Sequence, residues 1–99
     1  MLHSYTRVFV HFVWSTKGRE RLLINDARSQ ILSHILGYAK ENSVIIDEIN
    51  IQPDHLHVLI ELKSDQCIED IAKHIKGESS HWMNAQNIIP QNFFWQRWV

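Results

Sequence analysis

Residues 44–62, VIIDEINIQPDHLHVLIEL, constrain the fold more than any other stretch of this chain. Both halves are rich in β-branched and other apolar residues, which favour strands. Pro53 and Asp54 between them are typical turn residues, and so short a connection favours an antiparallel hairpin. We therefore predict adjacent strands over residues 44–51 and 55–62, around which the rest of the domain is built.

Two further segments carry apolar residues at helical spacing. Over residues 26–42 these residues recur every three or four positions, which predicts an amphipathic helix with Asn25 or Asp26 as its N-cap. A second stripe of this kind follows Ser64 or Asp65, either of which can cap a second helix. The two predicted helices therefore flank the hairpin in the sequence.

The two ends of the chain predict the remaining strands. Residues 5–14, YTRVFVHFVW, and residues 93–99, FFWQRWV, are dominated by aromatic and β-branched residues. The resulting order, β-α-β-β-α-β, is that of the ferredoxin-like α+β fold, a four-stranded antiparallel sheet with two helices on one face. We predict one such domain over residues 1–99, with its first and third strands side by side.

Composition narrows the class of protein. The formal net charge is −1, so contacts with nucleic acid would have to come from local basic patches. The one cysteine, Cys67, cannot form an internal disulfide, which is typical of a reducing compartment. No apolar run approaches the roughly 20 residues of a membrane span, and the N-terminus lacks the features of a signal peptide. We expect a cytoplasmic protein without a membrane partner.

His55 and His57 interrupt a strand that is otherwise apolar. Residues two apart on a strand point to the same face, about 6.6 Å apart along the backbone. The alternate residues Leu56, Val58 and Ile60 predict that the other face packs under the helices, which leaves both imidazoles on the open face. Two imidazoles so placed can bind one metal ion; the alternative is an ordinary solvated sheet face.

Two nearby residues strengthen the metal interpretation. His11 falls, by the alternation of its own strand, on the same open face, and Asp54 can accept a hydrogen bond from an imidazole N–H. A divalent ion with two histidine ligands keeps open positions and can polarise a phosphoryl oxygen. Cleavage of a phosphodiester then needs a hydroxyl nucleophile, for which tyrosine is suited.

Two groups of basic residues are candidates for binding DNA phosphates. Lys17, Arg19 and Arg21 lie in the predicted loop TKGRER, and Lys73 and Lys76 form a stripe on the second helix. The alternative is an ordinary solvated surface.

Aromatic side chains could stack on unpaired bases, although such residues belong more often to a core or an interface. The candidates are Trp82, Phe93, Phe94, Trp95 and Trp98.

The stretch PDHLHVLI resembles the HUH motif (His-hydrophobic-His) of the single-tyrosine transposases of IS200/IS605-type insertion sequences. Three more segments resemble the same family in the same order. YTRVFVHFVWSTKGRERLL is similar to its first strand and basic loop, IAKHIKGESSHWMN to a helix with a Lys-Gly-x-Ser-Ser signature, and FFWQRWV to its Trp-Gln-Arg strand. The resemblance covers essentially the whole chain.

This resemblance implies a ferredoxin-like protein that dimerises by joining its sheets and acts on single-stranded DNA with hairpins near the element ends. Cleavage would require Mg²⁺ or Mn²⁺, with His55 and His57 as metal ligands, and would leave a 5′-phosphotyrosine. The family's nucleophilic tyrosine and a third ligand, commonly Gln, lie on a helix beyond the Trp-Gln-Arg strand, whereas this chain ends at Val99. Tyr5 and Tyr38 are poor substitutes, so we expect this chain not to cleave DNA.

Two alternatives stay open from the sequence. One is a non-catalytic module for DNA binding or dimerisation derived from such a transposase, whether a shortened gene product or a degenerate copy. The other is a ferredoxin-like domain that binds a metal or a small molecule and has no connection with DNA. The segment IAKHIKGESSHWMN and the final aromatic strand favour the DNA-linked interpretations.

Overall fold

The computed structural model describes residues 6–96. Its helices and strands follow the predicted order as far as the second helix, and a short 3₁₀ turn, Lys17–Arg19, comes after the first strand. The elements are β1 (Val8–Ser15), α1 (Asn25–Glu41), β2 (Ile45–Gln52), β3 (His55–Leu62) and α2 (Ile68–Ala85). The hairpin predicted around Pro53 and Asp54 is formed by β2 and β3.

Within residues 6–96 the sheet has three strands in the order β1-β3-β2, and both pairings are antiparallel. The first and third strands are therefore neighbours, as predicted. His57 pairs with Val13 on one side and with Asn50 on the other, so it lies in the middle of the sheet.

Alternation along β3 separates the two faces of the sheet. Leu56, Val58 and Ile60 are almost completely buried. They belong to one apolar cluster with residues of both helices, including Ile35 of α1 and Ile75 of α2. Both helices therefore cover the same face, and the molecule is an α+β protein with two helices on a three-stranded antiparallel sheet. The opposite face carries the histidines.

The predicted helix caps are wrong. The N-cap residues are Ile24 for α1 and Cys67 for α2, and neither side chain makes a capping hydrogen bond. Asn25 has a positive φ of 52°, whereas a capping side chain needs an extended backbone at its own position. In the loop before α2, the Lys63 N–H donates to the Gln66 side chain, 2.9 Å away, and the helix starts only after this turn. Periodicity indicates the face of a helix, but loop contacts of this kind set its first residue.

The predicted final strand over residues 93–99 is only begun in the described part of the chain. Thr16 and Trp95 form an antiparallel bridge, and the Gln96 N–H donates to the Ser15 carbonyl at 2.7 Å. Residues 97–99 lie outside the described residues, so Trp98 does too. Phe93 and Trp95 are buried in the core and are not base-stacking surfaces, whereas Phe94 is exposed.

The Asn84 side chain clamps the backbone of Phe93. Its Oδ1 accepts from the Phe93 N–H at 2.6 Å, and its Nδ2 donates to the Phe93 carbonyl at 2.9 Å.

We expect Asn84→Asp to lower the free energy of unfolding by about 1–3 kcal/mol, because a carboxylate keeps the first bond but faces the carbonyl with an acceptor. Urea denaturation measures this difference. Asn92→Asp, the same change at an exposed neighbour, is the control; equal effects of the two variants would contradict the clamp.

Candidate metal and nucleic-acid site

Three imidazoles form a row on the open face of the sheet. We call this the histidine row; its members, in order, are His11, His57 and His55. The Nδ1 atom of His57 lies 3.3 Å from Nε2 of His11, and these rings are stacked with centroids 5.3 Å apart. The rings of His57 and His55 meet edge to face at 4.8 Å. Since Val13 is the direct partner of His57 in β1, His11 is its diagonal neighbour.

Asp54 fixes the orientation of His55. Its Oδ1 lies 2.7 Å from His55 Nδ1. The hydrogen bond with His55 lowers the pKa of the Asp54 carboxyl and outweighs the opposing effect of burial, and the contacts with Arg19 lower it further. A charged carboxylate can only accept, so the proton lies on Nδ1 of His55. The other ring nitrogen of His55, Nε2, is then the atom that can coordinate a ligand.

The second imidazole is held in its neutral form. Burial lowers the pKa of His57 below its usual value, and the neighbouring His55 and His11 lower it further. A histidine binds a metal only as the neutral imidazole, so the environment of His57 favours coordination at neutral pH.

The histidine row fits part of a metal site. Within residues 6–96 no three His, Cys, Asp or Glu side chains are arranged to hold one metal ion. The two imidazoles of His55 and His57 nevertheless supply donors on one open surface, with room for water, phosphate or a further protein ligand. The residues thus fit a divalent ion that takes its remaining ligands from elsewhere.

The basic loop, residues 16–21, is anchored beside this row. The Thr16 N–H donates to the Asp54 carbonyl at 2.9 Å, and the buried Thr16 hydroxyl donates to the Glu20 carbonyl at 2.6 Å. Gly18 and Arg19 have positive φ values of 69° and 57°, which fold the loop tightly. Arg19 therefore reaches back to Asp54, with its Nε 3.1 Å from Oδ2.

The contact between Arg19 and Asp54 is a feature that the sequence does not reveal. The two residues are separated by 35 positions, and each was singled out for a different reason. The other two loop cations remain available to solvent. Arg21 is exposed, and Lys17 is exposed with its Nζ 5.5 Å from the centre of the Phe94 ring.

The two lysines of the predicted stripe on α2 differ in their exposure. Lys73 and Lys76 line a groove of about 870 Å³ between α2 and β1, which His11 also lines. Lys73 is exposed, but Lys76 is half-buried, and its Nζ lies 3.4 Å from the Gln96 carbonyl. Burial lowers the pKa of Lys76. The two lysines therefore do not form one uniform charged surface.

Tyr38 lies on the far side of the sheet from the histidine row. It packs against the apolar core and lines a pocket between the helices together with Asn42 and His74. Its hydroxyl therefore does not face His55 or His57. Tyr5, the other tyrosine of the chain, lies outside the described residues.

Among the described residues, no helix combines the length and the apolar character needed to cross a membrane.

The family model described as "Transposase IS200 like" matches residues 4–98. The ISDra2 transposase TnpA of Deinococcus radiodurans is 27% identical over 73 residues, which are 74% of this chain and 52% of that protein. The chain thus spans about half the length of this curated relative.

Solved structures share the fold. The crystal structure of a protein from Deinococcus radiodurans R1 assigned as a transposase superposes with a TM-score of 0.84 at 21% identity, covering 96% of this chain and 77% of that one. A REP-associated tyrosine transposase bound to a REP hairpin superposes with a TM-score of 0.64, also at 21% identity, covering 98% of this chain and 59% of that one.

Proposed function

The chain belongs to the IS200-like transposase family, and on that premise we propose that it binds single-stranded DNA hairpins and presents a bound phosphate to a divalent metal. The observation that carries this proposal is the placement of the basic loop directly beside the histidine row. Arg19 contacts Asp54, and Asp54 contacts His55, so loop and row form one continuous surface.

Charge and exposure support DNA as the ligand. Lys17, Arg19 and Arg21 are all exposed on a loop of six residues, where they can neutralise phosphates. A strand held there would pass the open sheet face that carries the imidazoles. The hairpin-bound REP-associated transposase shares this fold, which agrees with a hairpin as the substrate.

The metal would be held by His55 and His57, with His11 and Asp54 alongside. We propose Mg²⁺ or Mn²⁺, as expected for this family; when bound, the ion would polarise a phosphoryl oxygen of the scissile phosphate. The protein's own contribution is to keep the His57 imidazole neutral, to fix a proton of His55 on Nδ1 and to hold the DNA backbone with the basic loop. The nucleophile expected for the family is a tyrosine.

The position of Tyr38 favours a second candidate for these 99 residues, a module that binds hairpins without cleaving them. Tyr38 is separated from the histidine row by the sheet. Incubation of the 99-residue protein with Mn²⁺ and end-labelled hairpin oligonucleotides distinguishes the candidates. We expect no adduct that survives a denaturing gel; an adduct lost in Tyr5→Phe or Tyr38→Phe would identify the nucleophile and refute this candidate.

We also propose that the complete domain has the ferredoxin-like order, with a fourth strand beside β1, and that it forms a homodimer in the cytoplasm. The bridge between Thr16 and Trp95 starts such a strand. This last strand would itself lie at the edge of the sheet, and an uncovered edge favours pairing with another chain. Light scattering at micromolar concentration tests the dimer, and a monomer would contradict it.

The double variant Lys17→Ala/Arg21→Ala tests the basic loop. We expect weaker binding of a fluorescent single-stranded hairpin and a shallower dependence of log K on log salt, by about 0.7 for each lost phosphate contact. Arg19 is left unchanged because it also contacts Asp54. Anisotropy titrations at several salt concentrations give both quantities.

The matched control is Lys40→Ala/Lys63→Ala, which removes the same charge from the last turn of α1 and from the residue after β3. If both double variants weakened binding equally, attraction would depend on bulk charge, and the loop would have no special role. If the unchanged protein bound no hairpin even at low salt, a domain unrelated to DNA would be favoured.

A further inference from the structure

We propose that Arg19, Asp54 and His55 form a positioning relay, a chain of hydrogen bonds through which the basic loop fixes the ring of His55. The relay would place a phosphate bound to Arg19 next to a metal bound to His55. The relay rests on the proposed function, since it concerns the same metal and the same DNA backbone. It adds a role for Arg19 other than simple phosphate neutralisation and makes Asp54 a positioning residue.

The two oxygens of Asp54 have separate partners. Oδ1 accepts from the His55 Nδ1–H at 2.7 Å, whereas Oδ2 lies 3.1 Å from both Nε and a terminal nitrogen of Arg19. The carboxylate cannot rotate without losing one partner or the other. It therefore transmits the position of the guanidinium to the imidazole ring.

The backbone on both sides of the relay is fixed as well. The Asp54 carbonyl accepts from the Thr16 N–H, and the Pro53 carbonyl accepts from the Leu23 N–H, both at 2.9 Å. These bonds tie the first residue of the loop, and Leu23 just after the loop, to the turn before β3. Leu23 is completely buried, so the loop is attached to the core next to this turn.

Arg19 has donors left for a second partner. Its side chain is 64% exposed, while the Asp54 side chain is only 20% exposed. A guanidinium carries five N–H donors in a planar fork, and Asp54 uses only part of them. A phosphate can therefore bind the outer edge of Arg19 while Asp54 keeps the inner edge, which places that phosphate beside His55.

The relay predicts a defined state of His55 before any metal binds. The charged Asp54 holds the proton on Nδ1, which leaves Nε2 as the coordinating atom. Loss of such an orienting partner typically costs 10- to 100-fold in metal affinity. Arg19 acts one contact further out, so its loss has a smaller effect.

The test uses the 99-residue protein and its Asp54→Ala, Arg19→Ala and Arg19→Lys variants. ¹⁵N-resolved NMR of the histidine rings, without metal, reports which nitrogen of His55 carries the proton. Mn²⁺ titration calorimetry gives the affinity. For Asp54→Ala we expect a mixture of His55 tautomers and Mn²⁺ affinity about 10- to 100-fold weaker. We expect a severalfold loss for Arg19→Ala and a smaller loss for Arg19→Lys.

Arg7→Ala is the matched control. Arg7 forms an ion pair of the same kind with Glu61, 2.7 Å apart, and among residues 6–96 this carboxylate contacts no histidine. The variant should change neither the His55 tautomer nor the Mn²⁺ affinity. A similar loss of affinity in Arg7→Ala would mean that net charge, and not the relay, sets metal binding.

The outcomes separate the relay from the proposed function. Unchanged Mn²⁺ affinity and an unchanged His55 tautomer in Asp54→Ala would overturn the relay and leave the metal proposal standing. A shifted tautomer in a protein that binds no Mn²⁺ would support the relay and overturn the metal proposal. If Asp54→Ala failed to fold, the exposed Arg19 variants would decide, and wild-type behaviour of both would overturn the relay.

Discussion

Replacing His55 and His57 together with alanine is expected to abolish Mn²⁺ binding and leave the fold intact. Both imidazoles lie on the open face of the sheet, whereas the stabilising residues of β3 lie on the other face. The metal would thus lose its two nitrogen donors while the apolar core stays unchanged. Calorimetric titration with Mn²⁺ measures the loss, and circular dichroism with thermal unfolding checks the fold.

The control is His74→Ala/His81→Ala, which removes two exposed imidazoles from α2. It should bind Mn²⁺ as the unchanged protein does. His11→Ala is expected to weaken binding only moderately, because His11 contacts His57 but is not a proposed ligand. Mn²⁺ binding that survived in the His55/His57 variant would refute the metal assignment.

The position of the histidine row could be predicted because it depends only on strand periodicity and strand pairing. The bounds of β3, His55–Leu62, agree with the predicted strand, and two-residue alternation separates Leu56 and Val58 from the histidines. The pairing of the first and third strands then brings His11 to the same face. None of these steps needs knowledge of a loop conformation.

The contacts made by loops could not be predicted in the same way. The bond between Arg19 and Asp54 depends on two consecutive residues with positive φ, and one of them is not glycine. The helix starts were misplaced for a similar reason, since backbone and side-chain contacts in the preceding loops decide them. The aromatic segment 93–96 was ambiguous because the residues that suit base stacking also suit a core.

The structure resolves that ambiguity for two neighbouring phenylalanines. Phe93 is completely buried and meets the Trp95 ring edge to face, with centroids 4.9 Å apart, whereas Phe94 is 51% exposed. We expect Phe93→Ala to lower the free energy of unfolding by about 3–5 kcal/mol, a large part of the roughly 5–15 kcal/mol that stabilises a typical domain. Phe94→Ala should change it by no more than about 0.5 kcal/mol. Denaturant titration measures both, and similar values would contradict the assignment of Phe93 to the core.

The loss of Phe93 should also reach the basic loop. The segment that Phe93 anchors accepts two hydrogen bonds from the loop, both at 3.0 Å. The Phe94 carbonyl accepts from the Lys17 N–H, and the Gln96 side chain accepts from the Gly18 N–H. Because these bonds hold the loop from one side, its amides should exchange hydrogen faster in Phe93→Ala, beyond the change that global destabilisation causes in α1. Hairpin affinity should fall as well, since a loosened loop must be ordered again on binding. If the Lys17 and Gly18 amides changed only as much as those of α1, the loop would be held by Asp54 and its turn alone.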